Sequence, residues 1–379
     1  ILGNALVDMY AKCGFLAKAQ DVFHKLPMRN VVSWNVLITG YVQHGDAEEA
    51  LSCFQKMQVE DTSPNDVTFL SILKACGLLG AFEKGQEIHA QIRKGGLLRE
   101  NNGVGSALVD MYVKCGLLER AQAVFDELPH WDVVSWTSLI AGYVENGYDD
   151  EALDCFQKMQ IEGLTPDAVT LVCCLKACGN IGAIEIGKLI HHEILNKGML
   201  GKDSLLGSAL VGMYAKCGML GKAKDVFDEL PVQDVVSWSA LISGYAQQGH
   251  VSEALNCFEQ MESEGVSPDD VTFLCVLNAC SHSGQLDEAQ MLFRNMTRQY
   301  GIIPNLEHYT CMMVVFGGLG YVDDAILMMK VMPSSHDVAV WVALLTASRK
   351  WGNMMLAKLA FEETVQLCDS SHGSLYVCD

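Results

Sequence analysis

The chain has 379 residues, of which 50% are hydrophobic, and it carries a formal net charge of −20. The apolar content is enough for a continuous core, and the lack of any apolar run of about 18 residues argues against a membrane-spanning helix. The acidity argues against a protein that binds phosphates with its whole surface, although charge confined to one face would leave a neutral or basic groove available.

An internal repeat of 102 residues organises the chain from its first segment onward. The copies VVSWNVLITGY, VVSWTSLIAGY and VVSWSALISGY place Trp34, Trp136 and Trp238 at this spacing. A strict period predicts an array of stacked units, each of which contacts only its neighbours. Candidate functional residues should therefore occupy equivalent positions in successive units.

Each period divides into three units of 31, 35 and 36 residues, and each unit predicts two helices. In the unit 31–65, one apolar stripe precedes Gly45, a second stripe follows it, and Pro64 ends the unit. Glycine supplies the left-handed residue that closes a helix, and proline cannot continue one. The equivalent glycines number eleven, which indicates about eleven units: Gly14, Gly45, Gly80, Gly116, Gly147, Gly182, Gly218, Gly249, Gly284, Gly320 and Gly352.

The 15 cysteines follow the same period, which argues against a disulfide framework or a zinc site. A cysteine that recurs at one place in a helix pair is typical of a small buried apolar side chain, and free thiols favour a reducing compartment. The recurring sets are Cys53, Cys155 and Cys257, then Cys76, Cys178 and Cys280, and the pair Cys173 and Cys275.

The units resemble pentatricopeptide repeats of the plant PLS subclass over essentially the whole chain. The segment VVSWNVLITGYVQHGDAEEALSCFQKM at 31–57 is similar to a P-class unit, the segment at 67–92 to an L-class unit, and the segment at 106–129 to an S-class unit. The resemblance implies an all-α fold, a right-handed α-solenoid superhelix of about eleven helix-turn-helix repeats.

The last segment of the chain departs from this pattern. Residues 338–367 are similar to the first extension motif that follows PLS arrays in editing factors. We therefore expect an array of about ten repeats at 1–337 and a truncated extension motif at 338–379. The start at Ile1, in mid-pattern and without Met, indicates a piece of a longer protein.

The resemblance implies sequence-specific binding of single-stranded RNA, with one base read per unit. In such arrays the fifth residue of a unit, on its first helix, and the last residue of the unit form a reading pair. Asn at the fifth position favours a pyrimidine, and Ser or Thr with a final Asp favours guanine. The pairs in this chain are Asn4 with Asn30, Asn35 with Asn65, Ser106 with Asp132, Thr137 with Asp167, Ser208 with Asp234, Ser239 with Asp269, and Thr310 with Asp337.

The L-class units carry the apolar fifth residues Leu70, Val172 and Leu274, which cannot hydrogen-bond a base. Helix capping is an alternative explanation for each polar pair taken alone. The contrast between polar P- and S-class units and apolar L-class units favours base reading. In parallel with the RNA, the array predicts 5′-Y-Y-n-G-G-n-G-G-n-G-3′, where Y is a pyrimidine and n is any base.

Two further sets of residues follow from the resemblance. Second-position valines, Val32, Val134 and Val236, would lie against the flat faces of bases, although core packing also explains a valine there. Recurring lysines of the S-class units, Lys12, Lys114 and Lys216, would face phosphate.

The chain is not expected to be an enzyme or to hold a cofactor or metal. The His-x-Glu at 191–193 lies in mid-array with Cys174 and Cys178, and no Pro-Cys-x-x-Cys of a deaminase zinc site accompanies them. By resemblance, the array would bind an organellar transcript as the specificity factor for C-to-U editing, in the mitochondrion or the chloroplast. A deaminase or other editing factor, acting in trans or contributed by a missing C-terminus, would supply the chemistry.

Two other functions stay open on sequence grounds. The first is a protein–protein scaffold of the tetratricopeptide type, which the acidic charge favours and the alternation at the fifth position disfavours. The second is a degenerate array without a specific ligand.

Overall fold

The computed structural model describes residues 2–100, 102–201 and 204–331, together with a few single positions between 341 and 365. Every regular element in these three ranges is an α-helix, as the sequence predicted. In chain order the helices are α1 Leu2–Lys12, α2 Leu16–His24, α3 Val31–Gln43, α4 Ala47–Val59, α5 Asp66–Leu79, α6 Phe82–Lys94, α7 Leu97–Glu100, α8 Asn102–Lys114, α9 Leu118–Glu127, α10 Val133–Glu145, α11 Asp149–Ile161, α12 Ala168–Ile181, α13 Ile184–Asn196, α14 Ser204–Lys216, α15 Leu220–Glu229, α16 Val235–Gln247, α17 Val251–Ser263, α18 Asp270–Ser283, α19 Leu286–Arg298, α20 Leu306–Gly318 and α21 Val322–Val331.

Apart from the four-residue α7, the helices form helix-turn-helix units that stack side by side. The chain has two compact parts, Ile1–Ala177 and Cys178–Asp379. In the first part the first helices of successive units pack on one another in the order α1, α3, α5, α8 and α10, and in the second part α14, α16, α18 and α20 do the same. Each second helix packs on its own first helix, as α4 does on α3 and α15 on α14. This is the α-solenoid architecture expected from the repeat.

Glycines in the left-handed conformation separate the two helices of each unit. All ten described members of the predicted series, from Gly14 to Gly320, have φ between +63° and +84°. An L side chain is strained at such φ values, so glycine is needed at the turn. The eleventh, Gly352, lies outside the described residues.

The recurring tryptophans join one unit to the next. Trp34, Trp136 and Trp238 are buried at the start of α3, α10 and α16. Each packs edge-to-face on a phenylalanine of the preceding second helix, with ring centroids 4.5 to 4.6 Å apart. Aromatic pairs in this geometry stabilise a packed interface beyond their buried area.

The periodic cysteines are packing residues, as the spacing predicted. Cys53, Cys155, Cys257 and the set Cys76, Cys178 and Cys280 are buried, whereas Cys173 and Cys275 are half-buried. Burial raises the pKa of the Cys76 thiol to about 12, which suppresses the reactive thiolate. No helix in the described ranges combines the length and apolarity that a bilayer crossing requires.

Candidate nucleic-acid interface

The last residue of a unit caps the first helix of the next unit. Asn30, Asn65, Asp132, Asp167, Asp234 and Asp269 each accept a hydrogen bond from the backbone N–H three residues later. These residues therefore act as N-caps, which was the alternative explanation for them on sequence grounds. It does not exclude base reading, because an amide or carboxylate side chain has further hydrogen-bonding positions.

In two S-class units the fifth residue bonds the last residue directly. Ser106 Oγ donates to Asp132 Oδ1 at 3.1 Å, and Ser208 Oγ lies 3.3 Å from Asp234 Oδ1 and 3.0 Å from Ser204 O. All these partners are acceptors, so the single hydroxyl proton points into the protein. The serine oxygen consequently presents lone pairs to a ligand.

In the P-class units a threonine of the following unit stands between the two residues of the pair. Thr137 Oγ1 lies 2.6 Å from Thr170 Oγ1, which donates to Asp167 Oδ1 at 2.8 Å. The third period repeats this chain of contacts from Ser239 through Thr272 to Asp269, at 2.7 Å for each step. We refer to Thr68, Thr170 and Thr272 as the bridging threonines.

The first P-class unit uses amides instead. Thr68 Oγ1 donates to Asn35 Oδ1 at 2.6 Å, and Asn35 Nδ2 donates to Asn65 Oδ1 at 2.8 Å. Because Nδ2 carries two hydrogens, Asn35 retains one N–H for a ligand, and Asn65 retains its own amide N–H groups. This pair therefore presents hydrogen-bond donors to a ligand, whereas the Ser/Thr–Asp pairs present acceptors.

The candidate reading pairs are held in place by the protein itself. The fifth residues Asn35, Ser106, Ser208 and Ser239 are only 3% to 7% exposed. Their rotamers are fixed by the hydrogen bonds above, which reduces the entropy lost when a ligand binds.

The remaining predicted pairs have different surroundings. Asn4 is half-buried, and among the described residues no hydrogen bond joins it to Asn30. Thr310 Oγ1 donates to Leu306 O of its own helix at 2.8 Å, and its predicted partner Asp337 lies outside the described residues. The apolar fifth residues Leu70, Val172 and Leu274 are half-buried at the same register.

The second-position valines lie at the surface, which rules out the core-packing explanation. Their exposed fractions run from 45% to 60%, although valine is usually buried. The exposed set is Val32, Val67, Val134, Val169, Val236 and Val271. A surface stripe of valines at one register supplies apolar area against which a flat ring can lie.

Two pockets of the first compact part collect the predicted residues. A pocket of about 320 Å³ is lined by Asn35, Asn65, Val32, Val67 and Lys12 among others. A pocket of about 430 Å³ is lined by Ser106, Asp132, Val134, Lys114 and Leu70 among others. Each pocket thus brings together one candidate reading pair, a second-position valine and an S-class lysine.

The lysines are exposed but carry polar partners. Lys12 Nζ bonds Asp8 at 2.8 Å and Lys114 Nζ bonds Asp110 at 2.7 Å, both one turn back on the same helix. The third unit has Gly212 in place of the aspartate, and Lys216 Nζ donates to Asn180 Oδ1 at 2.9 Å. Two of the three lysines are therefore partly neutralised by an aspartate of their own helix.

The candidate zinc ligands are packing residues instead. His191 Nδ1 hydrogen-bonds the hydroxyl of Tyr214 at 2.9 Å, and burial lowers the pKa of this histidine. Cys174 and Cys178 are fully buried on α12. Within the described ranges, no three His, Cys, Asp or Glu side chains are grouped as metal ligands would be.

Sequence reasoning missed the bridging threonines. The signal was present, because the third residue of the unit is Thr68, Thr170 or Thr272 after a P-class unit but Ser33, Ser135 or Ser237 after an S-class unit. Serine and threonine are both common at the start of a helix, so their alternation alone does not indicate a bridging contact.

Comparisons with known proteins agree with this architecture. The family model described as "PPR repeat family" matches residues 29–77, 131–180 and 233–282, and "PPR repeat" matches 4–31, 106–133, 208–235, 271–299 and 307–336. Pentatricopeptide repeat-containing protein At2g33680 of Arabidopsis thaliana is 38% identical over 99% of this chain and 51% of its own length. The mitochondrial relative At2g22410 of the same plant is 35% identical over 99% of this chain and 59% of its own length. The chain therefore spans about half to three fifths of these relatives.

A solved structure shows the same fold. The pentatricopeptide repeat protein PPR10 in complex with an 18-nt psaJ RNA element superposes with a TM-score of 0.73, at 18% identity, over 96% of this chain and 55% of PPR10. A crystal structure of PPR10 from maize gives a TM-score of 0.63, at 18% identity, over 97% of this chain and 58% of its own length.

Proposed function

Because the chain belongs to the pentatricopeptide repeat family, we propose that it binds single-stranded RNA and reads one base with each P- or S-class unit. The observation that carries the proposal is the grouping of a polar reading pair, an exposed valine and a lysine in one pocket, at two places in the array. A nucleotide offers a hydrogen-bonding edge, a flat face and a phosphate, one for each of these groups. The RNA bound by PPR10 makes the same ligand class plausible for this fold.

The hydrogen-bonding character of each pair accounts for its base preference. Ser106 with Asp132, and Thr137 with Asp167, present acceptors only, and guanine offers two adjacent donors, N1–H and the N2 amino group, on its Watson–Crick edge. Asn35 with Asn65 presents N–H donors, which suit the carbonyl O2 of a pyrimidine. The order of units then gives the register 5′-Y-Y-n-G-G-n-G-G-n-G-3′.

The purified chain should be titrated against an RNA of this register and against a scrambled RNA of the same composition, at two salt concentrations. We expect the designed RNA to bind more tightly than the scrambled RNA at both salt concentrations. Equal binding, or none, contradicts sequence-specific reading.

A single substitution tests the reading more sharply. Replacing Thr137 by Asn converts an acceptor pair to one with a donor, so the preference at its base should move from guanine towards a pyrimidine. Binding should be measured with four RNAs that differ only at that base. An unchanged preference would show that Thr137 does not read.

The biological role follows from the proposed binding. We infer a specificity factor for organellar RNA processing, most directly C-to-U editing, with a deaminase supplied in trans or by a further part of a longer chain. Several relatives are named mitochondrial, which supports an organellar protein; the choice of organelle, including the chloroplast, remains a proposal.

The net charge of −20 favours one other function, a scaffold that binds a basic peptide. The same titration separates the two functions. A scaffold would show no preference between the two RNAs and would lose no peptide affinity when the reading pairs are replaced.

A further inference from the structure

The third residue of a unit contacts different atoms in the two kinds of boundary. After an S-class unit it is a serine whose hydroxyl donates to the backbone carbonyl of the capping residue, at 2.8 to 2.9 Å for Ser33, Ser135 and Ser237. After a P-class unit it is a bridging threonine, whose hydroxyl lies between the side chains of the capping residue and of the preceding fifth residue. Only the threonines therefore touch both members of a reading pair.

The direction of the hydrogen bonds at the bridge is forced. Asp167 is an ionised acceptor, so the one proton of the Thr170 hydroxyl goes to Asp167 Oδ1. The 2.6 Å contact between Thr170 and Thr137 then requires the Thr137 hydroxyl to donate its proton to Thr170. Thr137 is left with lone pairs only, and the same count applies to Ser239 through Thr272.

At the amide pair the bridge fixes an orientation. The Thr68 hydroxyl, at 2.6 Å, binds the oxygen of the Asn35 amide and so turns its nitrogen towards Asn65 and the pocket. Asn65 Oδ1, which accepts from the Thr68 backbone N–H, favours the same orientation of Asn35, so at this pair the hydroxyl reinforces an orientation that Asn65 also selects.

We propose that the bridging threonines Thr68, Thr170 and Thr272 are positioning residues that set the base preference of the preceding P-class unit. They fix whether the fifth residue offers a donor or an acceptor to the base. All three are fully buried, so they act on the base only through the reading pair. This inference rests on the proposed RNA reading.

The test replaces Thr170 by Val, which keeps the shape and removes the hydroxyl. The Thr137 hydroxyl is then free to donate or accept, and the preference for guanine over the other three bases at that position should fall about three- to tenfold, the effect of one neutral hydrogen bond. Preferences at the bases read by Ser106 and Ser208 should not change. Thr170→Ser should restore the preference, because it returns the hydroxyl.

Ser135→Ala is the matched control at an S-class boundary. It removes a capping hydroxyl of the same kind but no bridge, so it should leave the preference at the base read by Ser106 intact. Thermal unfolding of all variants gives the structural cost of each change, and binding to four RNAs that differ at one base gives the preference.

The outcomes separate the two proposals. If the unsubstituted chain prefers guanine and Thr170→Val preserves that preference while its Tm falls as it does in Ser135→Ala, the threonine is only a cap and the inference is wrong. If the unsubstituted chain itself shows no preference at that base, the proposed reading fails and the inference fails with it.

Discussion

At the scale of single residues, Asp132 combines two functions on one carboxylate. Its Oδ1 accepts from the backbone of Ser135 at 2.7 Å and from the Ser106 hydroxyl at 3.1 Å. The first bond caps α10 and the second orients a candidate reader. A substitution that keeps the cap but changes the charge can therefore separate stability from base preference.

Asp132→Asn should leave the free energy of unfolding nearly unchanged, because Asn is as good an N-cap as Asp. It adds a donor, so the preference for guanine at the corresponding base should decrease. Asp132→Ala should lower both, with a loss of about 1 kcal/mol of stability. Chemical denaturation and binding to four RNAs that differ at one base measure the two effects. If Asn and Ala reduce stability equally, the residue is not acting as the cap.

Two half-buried histidines predict a pH effect on folding. Burial lowers the pKa of His89 and of His191, opposed by Glu127 and Glu229 respectively. The unfolded chain therefore binds a proton more readily than the folded one. The contribution of the two neutral histidines to the free energy of unfolding is fully present above pH 6.5. It is lost as the pH falls from 6.5 towards their lower folded-state pKa.

Replacing both histidines by Phe, the residue that the third period has at position 293, should reduce the loss of stability on acidification. Urea unfolding about one pH unit above and one below pH 6.5 provides the measurement. If the substituted chain loses as much stability on acidification as the unsubstituted chain, groups other than these two histidines cause the loss.

The residue scale also shows the limit of sequence reasoning. The polar candidate pairs could be picked out because they occupy one register and alternate with the apolar Leu70, Val172 and Leu274. The bridging contact of Thr170 could not, because it depends on which of two acceptors a buried hydroxyl contacts. The exposure of Val134 was also undecided, since a valine at a helix start fits a core as well as a surface.

At the scale of helices, the first helices of neighbouring units meet at a glycine that leaves no room for a side chain. A Cβ built on Gly244 of α16 would lie 2.4 Å from Ala215 Cβ and 3.3 Å from its Cα. The corresponding glycines of α3 and α10 meet Ala11 and Val113 at 2.6 Å. The contact needs a residue without a side chain, because Ala215 cannot move aside by a rotamer change.

Gly244→Ala should destabilise the protein by about 1–3 kcal/mol, as overpacking does. Gly212→Ala is the matched control on α14, where the nearest atom to the new methyl group is Ala240 Cβ at 3.8 Å. Here the gain in helix propensity should raise stability by about 0.5–1 kcal/mol. Denaturant unfolding should show effects of opposite sign for the two changes, and a harmless Gly244→Ala would contradict the close approach.

Helix boundaries followed from the sequence where a residue type enforces them. Gly45 ends the unit's first helix with φ +84°, and α9 stops at Glu127, just before the Leu-Pro step at 128–129. The short α7 was not predicted, since four residues carry too little periodicity for a helix to be recognised.

At the scale of the whole molecule, the charge of −20 opposes the proposed binding of RNA through long-range repulsion of phosphate. Each lysine–phosphate contact releases counterions, and the logarithm of the affinity for a single strand falls by about 0.7 per contact for each tenfold rise in salt. Lys12, Lys114 and Lys216 would together give a slope of about −2. Because Asp8 and Asp110 are bonded to two of these lysines, the protein limits its own attraction for phosphate.

Removing that limit should strengthen binding. Asp8→Asn with Asp110→Asn removes the carboxylate partners of Lys12 and Lys114, just as Gly212 leaves Lys216 without a carboxylate one turn back, and should raise RNA affinity on the order of two- to fivefold at low salt. The matched control is Asp225→Asn with Asp228→Asn, which removes two ion-paired aspartates from α15, the second helix of its unit. An equal gain in the control would mean that only the net charge matters, and no gain in the first variant would mean that these lysines do not face phosphate. Base preference should stay constant in both variants, because phosphate contacts carry no sequence information.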